Sequence, residues 1–322
     1  MARTSKMNMI MHGDGHGGVH HHDGFLNVNG IFEGRFDIIL TNPPFGASVE
    51  PSDVVHESDV MVSREAEKRY IDDYGHLYTD ALARVRAAVN KPIASLFDLP
   101  KSEKSQIKTE ILFIERCLSL LKPGGRLGIV LPEGIFNNPS LAYVREFCEN
   151  RAFIRAVVSL PQETFFSSGA SVKASLLFLQ KFTEKEQADF DGKQTKANAE
   201  VKAKHADAIA TETARLESAI AAAKAAQDTD QRKAHQKELA DYGKRMAETI
   251  AKETRALLKE RFPYPIFLYE AEKVGITATG EQDQNELVPN ENSPPGVTKA
   301  CWELYQEFRR NPKPFFLREA TE

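Results

Sequence analysis

The order of apolar segments predicts an α/β fold: a mostly parallel sheet with a long α-helical hairpin inserted toward its C-terminal end. Three observations carry this. Residues 31–182 alternate short apolar runs with segments of helical periodicity, the order that lays parallel strands beside crossover helices. The runs are continuously apolar rather than alternating, as in strands covered on both faces. From about Thr183 to Phe262 alanine, lysine and glutamate dominate, proline is absent and the only glycines are Gly192 and Gly243.

Taken in order, K-M-N-M-I-M-H (6–12) reads as a helix and V-H-H-H-D (19–23) as strand-like. F-D-I-I-L (36–40) is a short buried strand, ended by two prolines that offer no N–H and fix φ. A polar, charge-rich stretch follows. Residues 107–121 then carry apolar side chains at 107, 111, 114, 118 and 121, a helical stripe that K-P-G-G stops. R-L-G-I-V-L-P (126–132) reads as a central strand, L-A-Y-V-R-E-F-C as a helix, and I-R-A-V-V-S-L-P (154–161) and A-S-L-L-F-L-Q-K (174–181) as two more strands. In the insertion, Ile209, Leu216, Ile220 and Ala223 form one stripe and Leu239, Tyr242, Met246, Ile250 and Leu257 another, with D-T-D (228–230) as turn and N-cap. A helical hairpin, coiled-coil-like, is expected; a single solvated helix is the alternative. F-P-Y-P-I-F-L-Y-E-A (262–271) returns to strand-like sequence, and the polar tail (about 276–322) ends in a W-E-L-Y-Q-E-F helix. The expected organisation is 1–182 as an α/β domain, 183–262 as the insertion and 263–322 as a return to the core.

Composition narrows the function. With 41% hydrophobic and 27% charged residues the chain reads as an ordinary soluble protein. No apolar run approaches the roughly 18–20 residues of a membrane span, and the N-terminus is too polar for a secretory signal, so a cytoplasmic chain is expected. A net charge of −4 with mixed signs is not that of a protein gripping nucleic acid unaided. Cys117, Cys148 and Cys301 lack C-x-x-C spacing and read as buried structural thiols.

Two stretches are candidates for chemistry. In H-G-D-G-H-G-G-V-H-H-H-D-G (12–24), Gly13, Gly15 and Gly18 match G-x-G-x-x-G, but a helix precedes and a strand follows, the reverse of a dinucleotide loop. A glycine-rich helix-to-strand turn is the better account. His20 and His22 share a strand face that His21 opposes, so no metal site is expected. Asp23, at the end of that segment, falls near the ligand crevice of such a sheet. The second stretch is N-P-P-F, residues 42–45. An exocyclic amino group on an aromatic ring is a poor nucleophile, because its lone pair is delocalised. An enzyme that alkylates it must accept hydrogen bonds from the NH₂. The Asn42 side-chain oxygen and the Pro43 carbonyl offer two acceptors, Pro43 and Pro44 hold them rigid, and Phe45 offers a stacking face for a flipped base. A tight strand-end turn with Phe45 in the core accounts for the bare tetrapeptide equally well; the strand before it and the glycine after it favour chemistry.

D-I-I-L-T-N-P-P-F-G resembles the catalytic motif of amino-group DNA methyltransferases. M-N-M-I-M-H-G-D-G, H-H-H-D-G-F, T-E-I-L-F-I-E-R-C-L-S-L-L-K-P-G-G-R-L-G-I-V-L-P and L-P-Q-E-T-F-F-S-S-G-A-S-V-K-A-S-L-L-F-L-Q-K resemble one branch, the methylation subunits of type I restriction-modification systems. The likeness spans about 1–182 and, more weakly, 266–288. It implies a partial Rossmann-like sheet and transfer of a methyl group from S-adenosylmethionine to adenine N6 of DNA, with separate specificity and restriction subunits as partners. Carried over by position, Asn42, Pro43, Pro44 and Phe45 engage the base, Asp23, Phe25 and Asn42 lie near the donor, and Phe165 or Phe166 supplies a further aromatic wall.

The chain departs from the family's pattern ahead of N-P-P-F, where the donor loop, the acidic residue after the second strand and the N-terminal helical domain are all missing. The glycine-rich donor loop should precede N-P-P-F by several dozen residues or more, and it is not among the 41 residues before Asn42. The expectation is a sheet lacking its first two strands: a chain unstable alone, completed by another chain that supplies the N-terminal part, or a gene fragment. A truncated remnant with a binding or assembly role is the non-enzymatic alternative. An N-P-P-F methyltransferase acting on RNA or protein is another, which the insertion and the 262–288 return disfavour.

Overall fold

The structure is a computed structural model describing residues 2–15, 18–20, 22–26, 28–100, 105–169, 171–289 and 299–316. Two compact units emerge: Met1–Thr183 with Pro265–Glu322, and Glu184–Tyr264. The first unit begins with α1 (Ala2–Met11), β1 (Phe36–Thr41), β2 (Ser48–Val49), α2 (Arg64–Tyr74), α3 (His76–Arg86), β3 (Ile107–Lys108) and α4 (Thr109–Leu120). It continues through β4 (Leu121–Pro132), α5 (Gly134–Asn137), α6 (Ala142–Glu149), β5 (Ala152–Ser159) and β6 (Ala174–Lys181). The second unit is α7 (Glu184–Ala225) and α8 (Thr229–Arg261). The first then resumes with β7 (Phe267–Glu270), β8 (Val274–Ile276), β9 (Gln282–Asn285) and α9 (Cys301–Arg310).

Five strands form the main sheet in the order β1-β4-β6-β5-β7. β1 pairs parallel with β4 and β7 with β5, while β6 runs antiparallel between β4 and β5. β1, β4, β5 and β7 therefore share a direction and deliver their C-terminal ends to one edge. Alternation splits the strands between two cores. Leu127, Ile129, Leu131, Leu177 and Leu179 point to the larger one, with Ile111, Leu112, Ile114 and Leu118 of α4 and Val144 and Phe147 of α6. Leu112 and Ile114 are fully buried, contributing about 1.5–3 kcal/mol each by removal from water. Ala156, Val158 and Phe267 face the other way, onto Cys301 and Phe308 of α9.

Buried polar groups tie the loops to α4. Arg116 Nε donates to the Gly24 carbonyl at 3.2 Å, and Gly34 N–H to the Ser119 carbonyl at 2.9 Å, fastening the segment before β1. Burial draws the Arg116 pKa down to about 10, which leaves it charged at neutral pH. Lys181 Nζ donates to the carbonyls of Leu118 and Leu121, both at 2.8 Å, closing the C-terminal end of α4.

The structure corrects four expectations. β1 is not a buried strand: Ile39 packs on the larger core, but Ile38 and Leu40 are 61% and 77% exposed. No strand pairs its outer edge among the described residues, and α9 covers the second face of the sheet only at the β5–β7 side. The strand expected at 19–23 does not form at the described residues of that segment (His21 lies outside them); so short a strand is stable only on a neighbour's edge. The charge-rich stretch holds α2 and α3, whose Tyr70 and Tyr78 close around Phe32 at ring separations of 6.1 and 5.2 Å. K-P-G-G does not separate α4 from its strand. β4 starts at Leu121, opposite Phe36, and absorbs the glycines in a register shift before Ile38 meets Arg126.

In the second unit Asp228 caps α8 by accepting the Gln231 N–H at 2.9 Å. Phe190, Val201 and Leu216 of α7 are buried with Leu258 of α8, and Arg215–Glu238 and Lys204–Glu253 link the helices at 3.0 and 2.9 Å. The seam is thin: Ile209, Ile220, Leu239, Met246 and Ile250 are only half-buried.

Leu40→Lys should leave the stability of the chain within about 0.5 kcal/mol, as for other exposed positions. It should also lower self-association of the purified chain in light scattering, because a charge on an apolar edge blocks strand addition.

Candidate functional site

N-P-P-F sits where β1 leaves the sheet. Pairing with β4 holds the strand as far as Thr41, opposite Ile129, and the next residue is Asn42. Asn42 and Pro44 are exposed, Pro43 is buried and Phe45 is half-buried. The turn is clamped from the start of α4. Thr109 Oγ1 donates to the Pro44 carbonyl at 3.1 Å, Thr109 N–H to the Ala47 carbonyl at 3.1 Å, and Lys108 Nζ to the Gly46 carbonyl at 3.2 Å. Among the described residues, nothing donates to the Pro43 carbonyl or the Asn42 side-chain oxygen. The clamp therefore consumes the acceptors behind the turn and leaves these two free.

Phe165 approaches from the 3-10 turn Gln162–Ser168 that follows β5. Its ring lies 6.3 Å from that of Phe45 at 89°. Phe166, one residue on, is 42% exposed and makes no such contact with Phe45. Of the two aromatics in that turn, the structure brings Phe165 to Phe45.

The proposed donor-side residues Asp23 and Phe25 belong to the segment before β1. Asp23 is exposed, and its Oδ1 accepts the Phe25 N–H at 2.8 Å in a tight turn. Phe25 is 7% exposed, its ring in the core against Phe113 at 4.4 Å and Phe97 at 5.7 Å. His20 lies against Gly30, and its pKa is lowered by burial and then by Arg35, Lys6 and Arg69, which keeps it neutral. His16 and His21 lie outside the described residues, among which no three His, Cys, Asp or Glu side chains converge on a metal position.

Sequence reasoning missed Thr109 and Glu133. Glu133 follows β4 at the edge where Asn42 leaves β1, is half-buried, and accepts from Ser175 Oγ at 3.1 Å. L-P-E-G directly after a continuously apolar strand was the available signal. For Thr109 there was none, because its partner Pro44 is 65 residues away.

Two free, rigidly mounted acceptors beside an aromatic face have the geometry to receive a planar ring bearing an amino group. The N-6 DNA methylase family model matches residues 1–112 and 97–246. The chain belongs to that family. No curated protein matches it. Among solved structures it is similar to a chain of a type I restriction-modification system (25% identity, 55% of this chain and 27% of that chain, TM-score 0.34). It is also similar to the M protein of type I restriction enzyme EcoKI (19%, 57% and 30%, TM-score 0.35). A modification subunit assigned to a type I restriction enzyme from Vibrio vulnificus is a third (20%, 54% and 29%, TM-score 0.35). The chain spans about a third or less of the length of the solved structures it matches.

Burial pushes the thiols of Cys117 and Cys148 up to about 12 and that of Cys301 to about 11. At pH 8 all three are protonated and enclosed. The folded chain should give no reaction with a thiol-titrating disulfide reagent, and three equivalents once unfolded in denaturant.

Proposed function

We propose that the chain carries the base-handling part of an adenine-N6 DNA methyltransferase of the type I methylation-subunit kind. The observation that supports this most is the free acceptor pair, Asn42 Oδ1 and the Pro43 carbonyl, with Phe45 and Phe165 set edge to face beside it. Asn42 and Pro43 accept hydrogen bonds from the target amino group and return its lone pair toward nitrogen. Because the prolines and Thr109 fix the turn beforehand, little reorganisation accompanies charge development. Phe45 and Phe165 take the ring of a base turned out of the duplex.

S-Adenosylmethionine, when bound, supplies an electrophilic sulfonium methyl group. Toward it the chain offers the Asn42 amide, for the methionine moiety, and the Asp23 carboxylate, for the adenine, with Phe25 stiffening the Asp23 turn from the core. Both polar groups are exposed. The apolar outer edge of β1 supports completion of the sheet by a further strand from another polypeptide segment, which carries the rest of the donor site. Specificity and restriction subunits are the proposed partners on DNA, and the cytoplasm the proposed location; no helix among the described residues is long and apolar enough to cross a membrane.

In the complex reconstituted with the completing segment and a specificity subunit, Asn42→Ala should lower methyl transfer to adenine by about a hundredfold or more while leaving assembly intact on gel filtration. Persistent transfer overturns the acceptor role. Calorimetric titration of S-adenosylmethionine into this chain alone should show no micromolar binding; such binding would refute the shared donor site.

A further inference from the structure

The hairpin β8–β9 is the part of the first unit for which the reading above has no use, yet it touches the turn that carries Phe165. The inference drawn from it rests on the base-pocket reading. A base held between parallel rings needs about 7 Å between them, two stacking steps of about 3.4 Å. Phe45 and Phe165 stand at 6.3 Å and 89°. The Phe165 ring must therefore turn and back away slightly before a base can enter, and whatever stands behind its turn decides how far it travels.

What stands behind it is well anchored. Phe165 rests on the smaller core with Val274 of β8 and Leu287, which follows β9. The hairpin is pinned by Glu286, whose N–H donates to the Lys273 carbonyl at 2.9 Å. The Glu286 carboxylate accepts from Tyr269 Oη at 3.3 Å and the Glu272 N–H at 3.2 Å. Lys273 and Asp283 pair across the strands at 2.9 Å. The tip is equally closed. Thr277 N–H reaches the Glu281 carbonyl at 2.9 Å, Gly280 N–H the Thr277 carbonyl at 3.0 Å, and Glu281 N–H the Thr277 hydroxyl at 3.0 Å. Gly280 has a φ of +90°, and a Cβ placed there would stand 3.2 Å from Ser167 Cβ. Ser167 belongs to the same 3-10 turn as Phe165, and that turn ends on Gly169, at φ +81°. A stiff hairpin thus meets the aromatic turn through a side-chain-free contact with no slack.

We propose that the β8–β9 hairpin is a positioning element for the target-base pocket, in which Gly280, packed bare against Ser167, sets how closely Phe165 stands to Phe45. Gly280 is a positioning residue and touches no substrate. A methyl group at position 280 pushes the Ser167 end of the turn, and the displacement carries to Phe165 two residues away.

The test uses the full chain with 4-fluorophenylalanine at position 165 and the fluorine resonance as readout. Gly280→Ala should shift that resonance, and adding Ser167→Gly, which removes the atom the new methyl meets, should return it. Ser167→Val crowds the same contact without altering position 280 and should also shift it. Because Gly280 sits at φ +90°, where alanine also strains the backbone, Ser167→Val is the deciding variant: an unchanged resonance there overturns the proposal. In the reconstituted complex, Gly280→Ala should lower kcat/KM for DNA about tenfold or more. Fluorescence of 2-aminopurine at the target position should fall with it, and Ser167→Gly should recover both. Absence of methylation by the unaltered complex would refute the methyltransferase reading, while the fluorine experiment still decides the brace.

Discussion

The site depends on one polar clamp. Thr109, the first residue of α4, donates through both its N–H and its hydroxyl into the turn that follows β1. Among the described residues the strand has a partner on one side only, so β4 and this clamp together determine where Asn42 and Phe45 stand. Two further effects follow from the same contact. It supplies donors to the Pro44 and Ala47 carbonyls of a turn whose prolines have no N–H of their own. It also couples the turn to α4, whose far end is closed by Lys181 and whose middle holds the preceding loop through Arg116.

The sheet is finished around β5 and β6 and open at β1. Around β5 and β6 both faces are filled, by α6 and the larger core on one side and by the smaller core on the other, while at β7 Phe267 packs on α9 and Leu268 is exposed. Around β1 a single face is filled, and Leu40 lies in the open beside Gly128, where a Cβ would come within 2.7 Å of its Cδ2. An apolar strand in that position is an attachment edge. The proposed base-handling residues lie at the junction of the two regimes: Phe165 is mounted on the finished side, Asn42 and Phe45 on the open one. Their relative position therefore passes through β4 and β6, where parallel and antiparallel ladders lock register over most of their length.

Some of this was legible in the residues. N-P-P-F declared itself because its meaning is local: proline geometry, an amide and an aromatic ring need no distant partner to be recognised. The strands at 126–132, 154–161 and 174–181 and the helix within 107–121 were legible from period and punctuation, with boundaries shifted where pairing extended a strand. Helix α2 was not, because its buried residue is Tyr70 among charges; α3 was missed although Tyr78, Ala81, Leu82 and Val85 stand at helical spacing. Nor was the burial of β1. Its composition is that of a covered strand, and burial belongs to the neighbours rather than to the strand.

The sequence by itself determined the family motif, the rigidity of the turn at residues 42–45, the helical character of 184–261 and the inertness of three scattered cysteines. Each follows from backbone chemistry or side-chain periodicity within a few turns of chain. Only the tertiary structure decided that Phe165 rather than Phe166 meets Phe45, that Thr109 and not a neighbour satisfies Pro44, that Ile38 and Leu40 face outward, and that Gly280 abuts Ser167. Those outcomes join residues tens to more than a hundred positions apart. They depend on strand order and register, which no local pattern encodes.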